Sequence, residues 1–209
     1  IFERIREEIV RLGGEIRFNS RVIDFDIERN PENPQQGRMR AVLLDNGERI
    51  ASGHVVLAPG HSARDTFDVL RARGVHMEAK PLSIGFRIEH PQSFIDRCRF
   101  GQFAGNPILG AADYKLVHHC RNGRSVYSFC MCPGGTVIAA TSETGRVVTN
   151  GMSQYSRNER NANAGMVVGI TPEVDYPENV LSGVEYQRRW ERAAFQAGGG
   201  NYFAPAQRV

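Results

Sequence analysis

Asn46-Gly47 stands between residues 38–45 and 48–52, two segments that each read as a strand. Both residues tolerate the positive φ of a tight reversal, so the dipeptide predicts a two-residue hairpin and an antiparallel pair. Residues 21–28, with Val22, Phe25 and Ile27 among polar neighbours, add a strand before it, and residues 30–37, with two prolines, read as the connecting loop. The outcome expected is a small β-meander.

Around this meander the periodicity changes. Phe2, Ile5, Ile9, Val10 and Leu12 follow helical spacing up to Gly13-Gly14, which predicts a helix over 2–12, and residues 15–18 read as a short strand. His54-Val55-Val56-Leu57-Ala58 is continuously apolar, as in a strand buried on both faces, and ends in Pro59-Gly60. A helix over 62–73 follows, with Ser62 as its N-cap and Asp65 in its first turn. Beyond Gly74 the composition shifts to strands at 82–89, 114–119, 125–131, 136–142, 146–149 and 166–170. Helices at 91–97 and 181–196 interrupt and follow them. Two domains are expected, 1–74 and 75–209. The opening Ile1 inside a helical pattern and the closing loop 198–205 predict an internal fragment of a longer chain.

Composition removes several function classes. With 209 residues, 41% hydrophobic and 23% charged, the chain is ordinary for a globular protein, and a net charge of +3 without a basic run makes nucleic acid an unlikely partner. Four cysteines form no dense framework, and no stretch reaches the roughly 20 apolar residues of a membrane span. The expectation is a cytoplasmic protein with reduced thiols and no membrane partner.

Candidate chemistry centres on Cys130-Met131-Cys132-Pro133-Gly134-Gly135, where strand alternation places both cysteines on one face. There they would face a substrate pocket, or serve as two small buried residues beside a turn. A spacing of one residue suits a disulfide poorly. His118-His119-Cys120 with Cys130 and Cys132 lacks a metal-ligand spacing, so no metal site is expected. Residues 149–163, rich in Asn and Arg, read as an irregular loop that orients a polar substrate or is simply solvated. No histidine or carboxylate is tied by spacing to a nucleophile, so catalytic residues stay unassigned.

The strings EIRFNSRVIDFDIE, NGERI and HVVLAPGHSARD, followed by PLSIGFRIEHP, YSFCMCPGGTVIAATSE, TNGMSQYSRNERNANAGMVVGI and GVEYQRRWERAAF, resemble the uncharacterised bacterial FAD-dependent dehydrogenases, a family of two-dinucleotide-binding-domain flavoproteins. The resemblance covers nearly the whole chain. It implies an α+β fold: part of an FAD-binding α/β domain, containing the meander and a strand-turn-helix, plus an inserted, mostly antiparallel substrate-side domain. FAD is the cofactor implied, with a small-molecule substrate and the rest of the parent chain as partners. The family's Gly-x-Gly-x-x-Gly phosphate turn and C-terminal Gly-Asp strand are missing here, so the parent would be the oxidoreductase and this fragment alone would bind FAD weakly or not at all. Carried over by resemblance, Val22 lies nearest the adenine, and Ala58, Pro59 and Gly60 form the strand-end turn beside the dinucleotide. His61 and Arg64 stand at the start of the following helix, and Cys130, Gly134 and Gly135 border the flavin cleft. The competing reading is a non-catalytic ligand- or nucleic-acid-binding module with flavoprotein-like architecture.

Overall fold

The computed structural model describes residues 1–208, with all their side chains except those at positions 34 and 35. Helix α1 (Phe2–Arg11) forms where the apolar spacing predicts it. It closes in a paired C-terminal motif, with Gly13 N–H on the Val10 carbonyl (3.0 Å) and Gly14 N–H on the Ile9 carbonyl (2.8 Å). None of its residues is buried, and the apolar stripe through Ile5, Ile9 and Val10 faces outward. Residues 15–18 form no strand: no neighbouring strand takes up their backbone, and Arg17 is drawn to Glu15 (2.6 Å) and Glu48 (2.7 Å).

The meander is present as β1 (Val22–Asn30), β2 (Asn33–Leu44) and β3 (Arg49–Ala51), all antiparallel in that order. Its first reversal corrects the expected loop at 30–37. Asn30 pairs with Asn33 and its Oδ1 accepts the Glu32 N–H (3.0 Å), so the chain turns within two residues and the rest becomes strand. The second reversal also differs from the two-residue expectation. Gly47 N–H bonds the Leu44 carbonyl (3.0 Å) and Leu44 N–H bonds the Glu48 carbonyl (2.9 Å), with Gly47 at φ +86°. Asn46 keeps a negative φ while its Oδ1 accepts the Glu48 N–H (2.9 Å), so three residues make the loop and the glycine alone takes the left-handed conformation.

Helix α2 (Arg64–Ala72) packs on β1 over a core of Phe25, Ala41, Leu44 and Leu70. Two ion pairs tie it down: Arg73 donates through Nε to Asp24 Oδ1 (2.6 Å), and Arg21 meets Asp65. Hydrogen bonds from the Arg73 guanidinium hold the Asp24 carboxyl below its ordinary range. Ser62 is not the N-cap. Ala63 is, without a side-chain cap, because Arg64 N–H closes on the Ser62 backbone carbonyl (2.9 Å). The run 54–58 forms no strand either, since nothing among the described residues lies beside it to complete a ladder, and Val56 is 93% exposed.

The chain divides into two compact units, Ile1–Met77 and Glu78–Val209. The second is built on an antiparallel sheet in the order β4-β9-β6-β5, from β4 (Leu82–Pro91), β5 (Val117–His119), β6 (Ser125–Cys132) and β9 (Asn161–Ile170). The β4–β9 pairing runs without interruption from Leu82↔Ile170 to Pro91↔Asn161. Helix α3 (Gln92–Phe100) contributes Ile95 to a cluster with Ala112 and Ala162, edged by Phe100, Tyr114 and Met131. A two-stranded sheet, β7 (Gly135–Ala139) and β8 (Thr149–Ser153), contacts β9. The polar segment 149–163 is thus strand at both ends and irregular only between, whereas 146–148 stay outside any strand.

Short helix α4 (Pro172–Asp175) leads to α5 (Ser182–Ala197). Arg188 on α5 forms a bidentate pair with Glu143, and Tyr176 donates to the Lys80 carbonyl (2.6 Å). Among the described residues no helix is long and apolar enough to cross a membrane. The mixed α+β fold with antiparallel sheets is the expected one.

Because nothing surrounds a Cβ at position 47, a side chain there meets only backbone strain. Gly47→Ala is expected to weaken the hairpin by about 1 kcal/mol and Gly47→Asn by less. Faster hydrogen exchange at the Leu44 amide, larger for Ala than for Asn, is the check.

Candidate functional site

Gln92 opens α3 at 7% exposure, so its amide must find partners inside the protein. Its Oε1 accepts the Gly134 N–H (2.7 Å), and its Nε2 donates to the Ala112 carbonyl (3.0 Å) and to Asp96 Oδ1 (2.7 Å). Asp96 Oδ1 in turn accepts the Ala112 N–H (2.9 Å). One side chain therefore joins the helix, the loop at 112 and the turn at 133–134.

That turn is packed from both sides. Ser153 Oγ donates to the Pro133 carbonyl (2.7 Å), and the Gly134 carbonyl accepts the Glu159 N–H (3.3 Å). Gly134 sits at φ +46°, where a Cβ would overlap the Arg157 carbonyl, and a Cβ on Gly135 would crowd the Met152 carbonyl. Close backbone packing accounts for both glycines. The Gly134 N–H is committed to Gln92, so it is not free to face a phosphate.

Just before the turn, β6 carries a bulge. Phe129 opposes Gly165 and Cys132 opposes Asn163, so three steps on β6 span two on β9, and Cys130 takes a positive φ of +46°. The alternation that grouped Cys130 with Cys132 on one face does not hold across this extra residue. Cys130 is exposed and Cys132 half-buried, and the Cys132 thiol donates to the Cys130 carbonyl (3.4 Å).

The bulge turns the Cys130 carbonyl toward Arg87 of β4, whose Nη1 donates to it (3.3 Å). Nη1 also donates to Asn163 Oδ1, and Nη2 reaches Asn150 Oδ1 (3.4 Å). Asn163 is fully buried and its Nδ2 has no partner among the described residues, an arrangement that costs about 1–3 kcal/mol. Gly151 of β8 comes close to this cluster, and a Cβ there would overlap Arg87 Nη1, Asn163 Oδ1 and Cys132 Sγ. On the opposite face of the sheet, His90 lies against Tyr114 with ring centroids 5.4 Å apart. Its Nε2 is buried without a partner among the described residues, and burial pushes the imidazole below its ordinary value of 6.5 despite the nearby Glu89.

Of the residues proposed from sequence, the structure brings Cys130, Gly134 and Gly135 together in this cluster. The others belong to the first unit. Val22 opens β1 opposite Leu44, and Ala58, Pro59, Gly60 and His61 are exposed outside any strand, with His61 Nε2 3.3 Å from Ser62 Oγ. Arg64 is buried at the start of α2. A hollow of about 530 Å³ in the same unit, lined by Arg6, Val10, Ile16 and Phe18 among others, contains none of these candidates. Sequence reasoning did not find Arg87 or Gln92. A lone arginine in the strand pattern PLSIGFRIEHP was the only signal for the first, and a glutamine after Pro91 gave none.

Residues 81–209 match the family model described as FAD-dependent protein, C-terminal domain-like. The chain belongs to this family. A protein of Clostridium beijerinckii, described as uncharacterized, is 46% identical over 210 residues, covering all of this chain and 38% of its own length. The chain thus spans well under half of that relative. The match to the FAD-dependent C-terminal domain-like family takes in Arg87, Gln92, the 130–135 turn, Gly151 and Asn163, and none of the candidates of the first unit.

Two outcomes test how this FAD-dependent C-terminal domain-like region holds its site. Gln92→Leu leaves the Gly134 N–H and the Ala112 carbonyl unpaired, for an expected loss of about 2–4 kcal/mol, and should speed exchange of the Gly134 amide by roughly 30-fold or more. Unchanged exchange would mean that the bond holds nothing. His90 is favoured neutral in the folded state, so its contribution is complete above about pH 6.5 and is lost as pH falls from there through the lower folded value. Thermal melts at pH 7.5 and 5 should therefore differ less in His90→Phe than in the unaltered protein.

Proposed function

We propose that the chain contributes the substrate-side domain of an FAD-dependent oxidoreductase, a dehydrogenase acting on a small molecule, with most of the flavin's contacts supplied elsewhere in a longer polypeptide. The observation that carries this reading is the coincidence of the family match with a densely organised polar cluster of the second unit, around Arg87, Gln92 and the 130–135 turn.

The residues fit such a partner. Arg87 is half-buried among neutral acceptors, and Asn163 keeps an unpaired donor beside it, a combination suited to a polar ligand or an electron-rich ring edge. FAD, when bound, supplies the electron transfer at its isoalloxazine ring. The chain's own part is to cover that ring with the 130–135 turn, exclude water and choose the substrate. In the first unit, Val22 and the Ala58-Pro59-Gly60 turn are assigned to the dinucleotide. The outward-facing Val55, Val56 and Leu57 are a surface that further strands of the longer protein would complete. Absence of a Gly-x-Gly-x-x-Gly turn from the sequence supports placing the pyrophosphate contacts elsewhere. The four free cysteines suit a reducing cytoplasm.

Denaturing the full-length protein and the 209-residue chain side by side, and measuring released flavin by absorbance and fluorescence, tests the reading. FAD is expected from the full-length protein and little or none from the shorter chain. A full-length protein without FAD overturns the proposal.

A further inference from the structure

A guanidinium carries five N–H donors, and Arg87 uses only three. Nη1 gives its two hydrogens to the Cys130 carbonyl and Asn163 Oδ1, and Nη2 gives one to Asn150 Oδ1 at 3.4 Å. Nε–H and the second Nη2–H have no protein acceptor among the described residues, and no carboxylate there pairs with the group. Glu89, two residues along on the same sheet face, is turned instead to Asn161 Nδ2 (2.5 Å). A half-buried cation surrounded by neutral carbonyls has lost part of its hydration without gaining a counter-charge.

Asn163 strengthens the point. Its Oδ1 is held toward Arg87 while its Nδ2 stays buried and unpartnered among the described residues, so the guanidinium is oriented by a residue whose own two amide N–H donors are unmet there. The bulged Cys130 carbonyl fixes the same nitrogen from the other strand. With Nη1 anchored inward, the two remaining hydrogens lie on Nε and Nη2, adjacent nitrogens that match the two oxygens of a planar carboxylate.

We infer that Arg87 binds the carboxylate of a small organic acid, with Asn163 and the Cys130 carbonyl as positioning groups on its inner side. This rests on the reading of the second unit as the substrate side of a flavoenzyme and adds the substrate class to it.

Phenylglyoxal modification of the full-length protein, read at Arg87 by peptide mass spectrometry, tests the inference without any variant. Acetate at ~50 mM is expected to slow modification of Arg87 about threefold or more relative to chloride at equal ionic strength, with pyrophosphate giving no such protection. Equal rates in acetate and chloride overturn the inference. So does protection by pyrophosphate in place of acetate, which would assign the donors to a cofactor phosphate. Released FAD is measured on the same preparation. Protein that carries FAD but gains no acetate protection overturns the carboxylate site alone; protein without FAD that gains it keeps the site and overturns the flavin reading.

Discussion

The second unit depends on the hydrogen bonds of Gln92. Three segments distant in sequence, α3, the loop at Ala112 and the 133–134 turn, meet at one buried amide, and each bond satisfies a group that would otherwise be stranded away from water. The apolar cluster beside it is small, with Ile95, Ala112 and Ala162 at its centre. An apolar core of that size fixes position poorly, because hydrophobic contact is non-directional. The amide supplies the direction, and through Gly134 it sets where the chain enters β7 and where the bulged end of β6 stops.

From that anchor the polar cluster follows. The turn at 133–134 is held by Gln92 on one side and by Ser153 and Glu159 on the other, so β8 is brought close to Arg87 and Asn163. Position 151 must then be glycine, since a Cβ would occupy the space that Arg87 Nη1 and Asn163 Oδ1 share. The orphaned Asn163 Nδ2 and the bulge at Cys130 are both departures from an ideal sheet, and both serve the orientation of a single guanidinium. Such local departures concentrate where a structure has work other than stability.

How legible this was depends on the range over which each signal acts. Gly13-Gly14 ended α1 as read, because the motif is completed within one turn of helix. Asn46-Gly47 placed the hairpin correctly but not its loop: only Gly47 takes a positive φ, and Asn46 contributes through its side chain. Residues 30–37 have the prolines and asparagines of a loop, yet Asn30 needs only two residues to reverse the chain. The run 54–58 looked like a buried strand from its composition, but a strand exists only where a neighbour pairs with it, and composition does not say whether the neighbour is at hand. Alternation along 129–132 failed for a similar reason, since a bulge is decided by the partner strand.

The candidate site divides along the same line. Gly134, Gly135 and Cys130 stood out because an unusual string is visible locally, whereas Arg87 and Gln92 matter through partners far along the chain, Cys130 for the first and Ala112 and Gly134 for the second. Those partners also change what the visible residues do. The Gly134 N–H, which a motif reading offers to a ligand, is already taken by Gln92, and the Cys130 thiol is less constrained than its carbonyl, which Arg87 and Cys132 both engage. Function in this region is therefore argued better from the guanidinium that the cysteine segment holds in place than from the cysteines themselves. The fold orients Arg87 through three neutral oxygens without a carboxylate among the described residues to neutralise it, and such a cation is a physical reason to look there first.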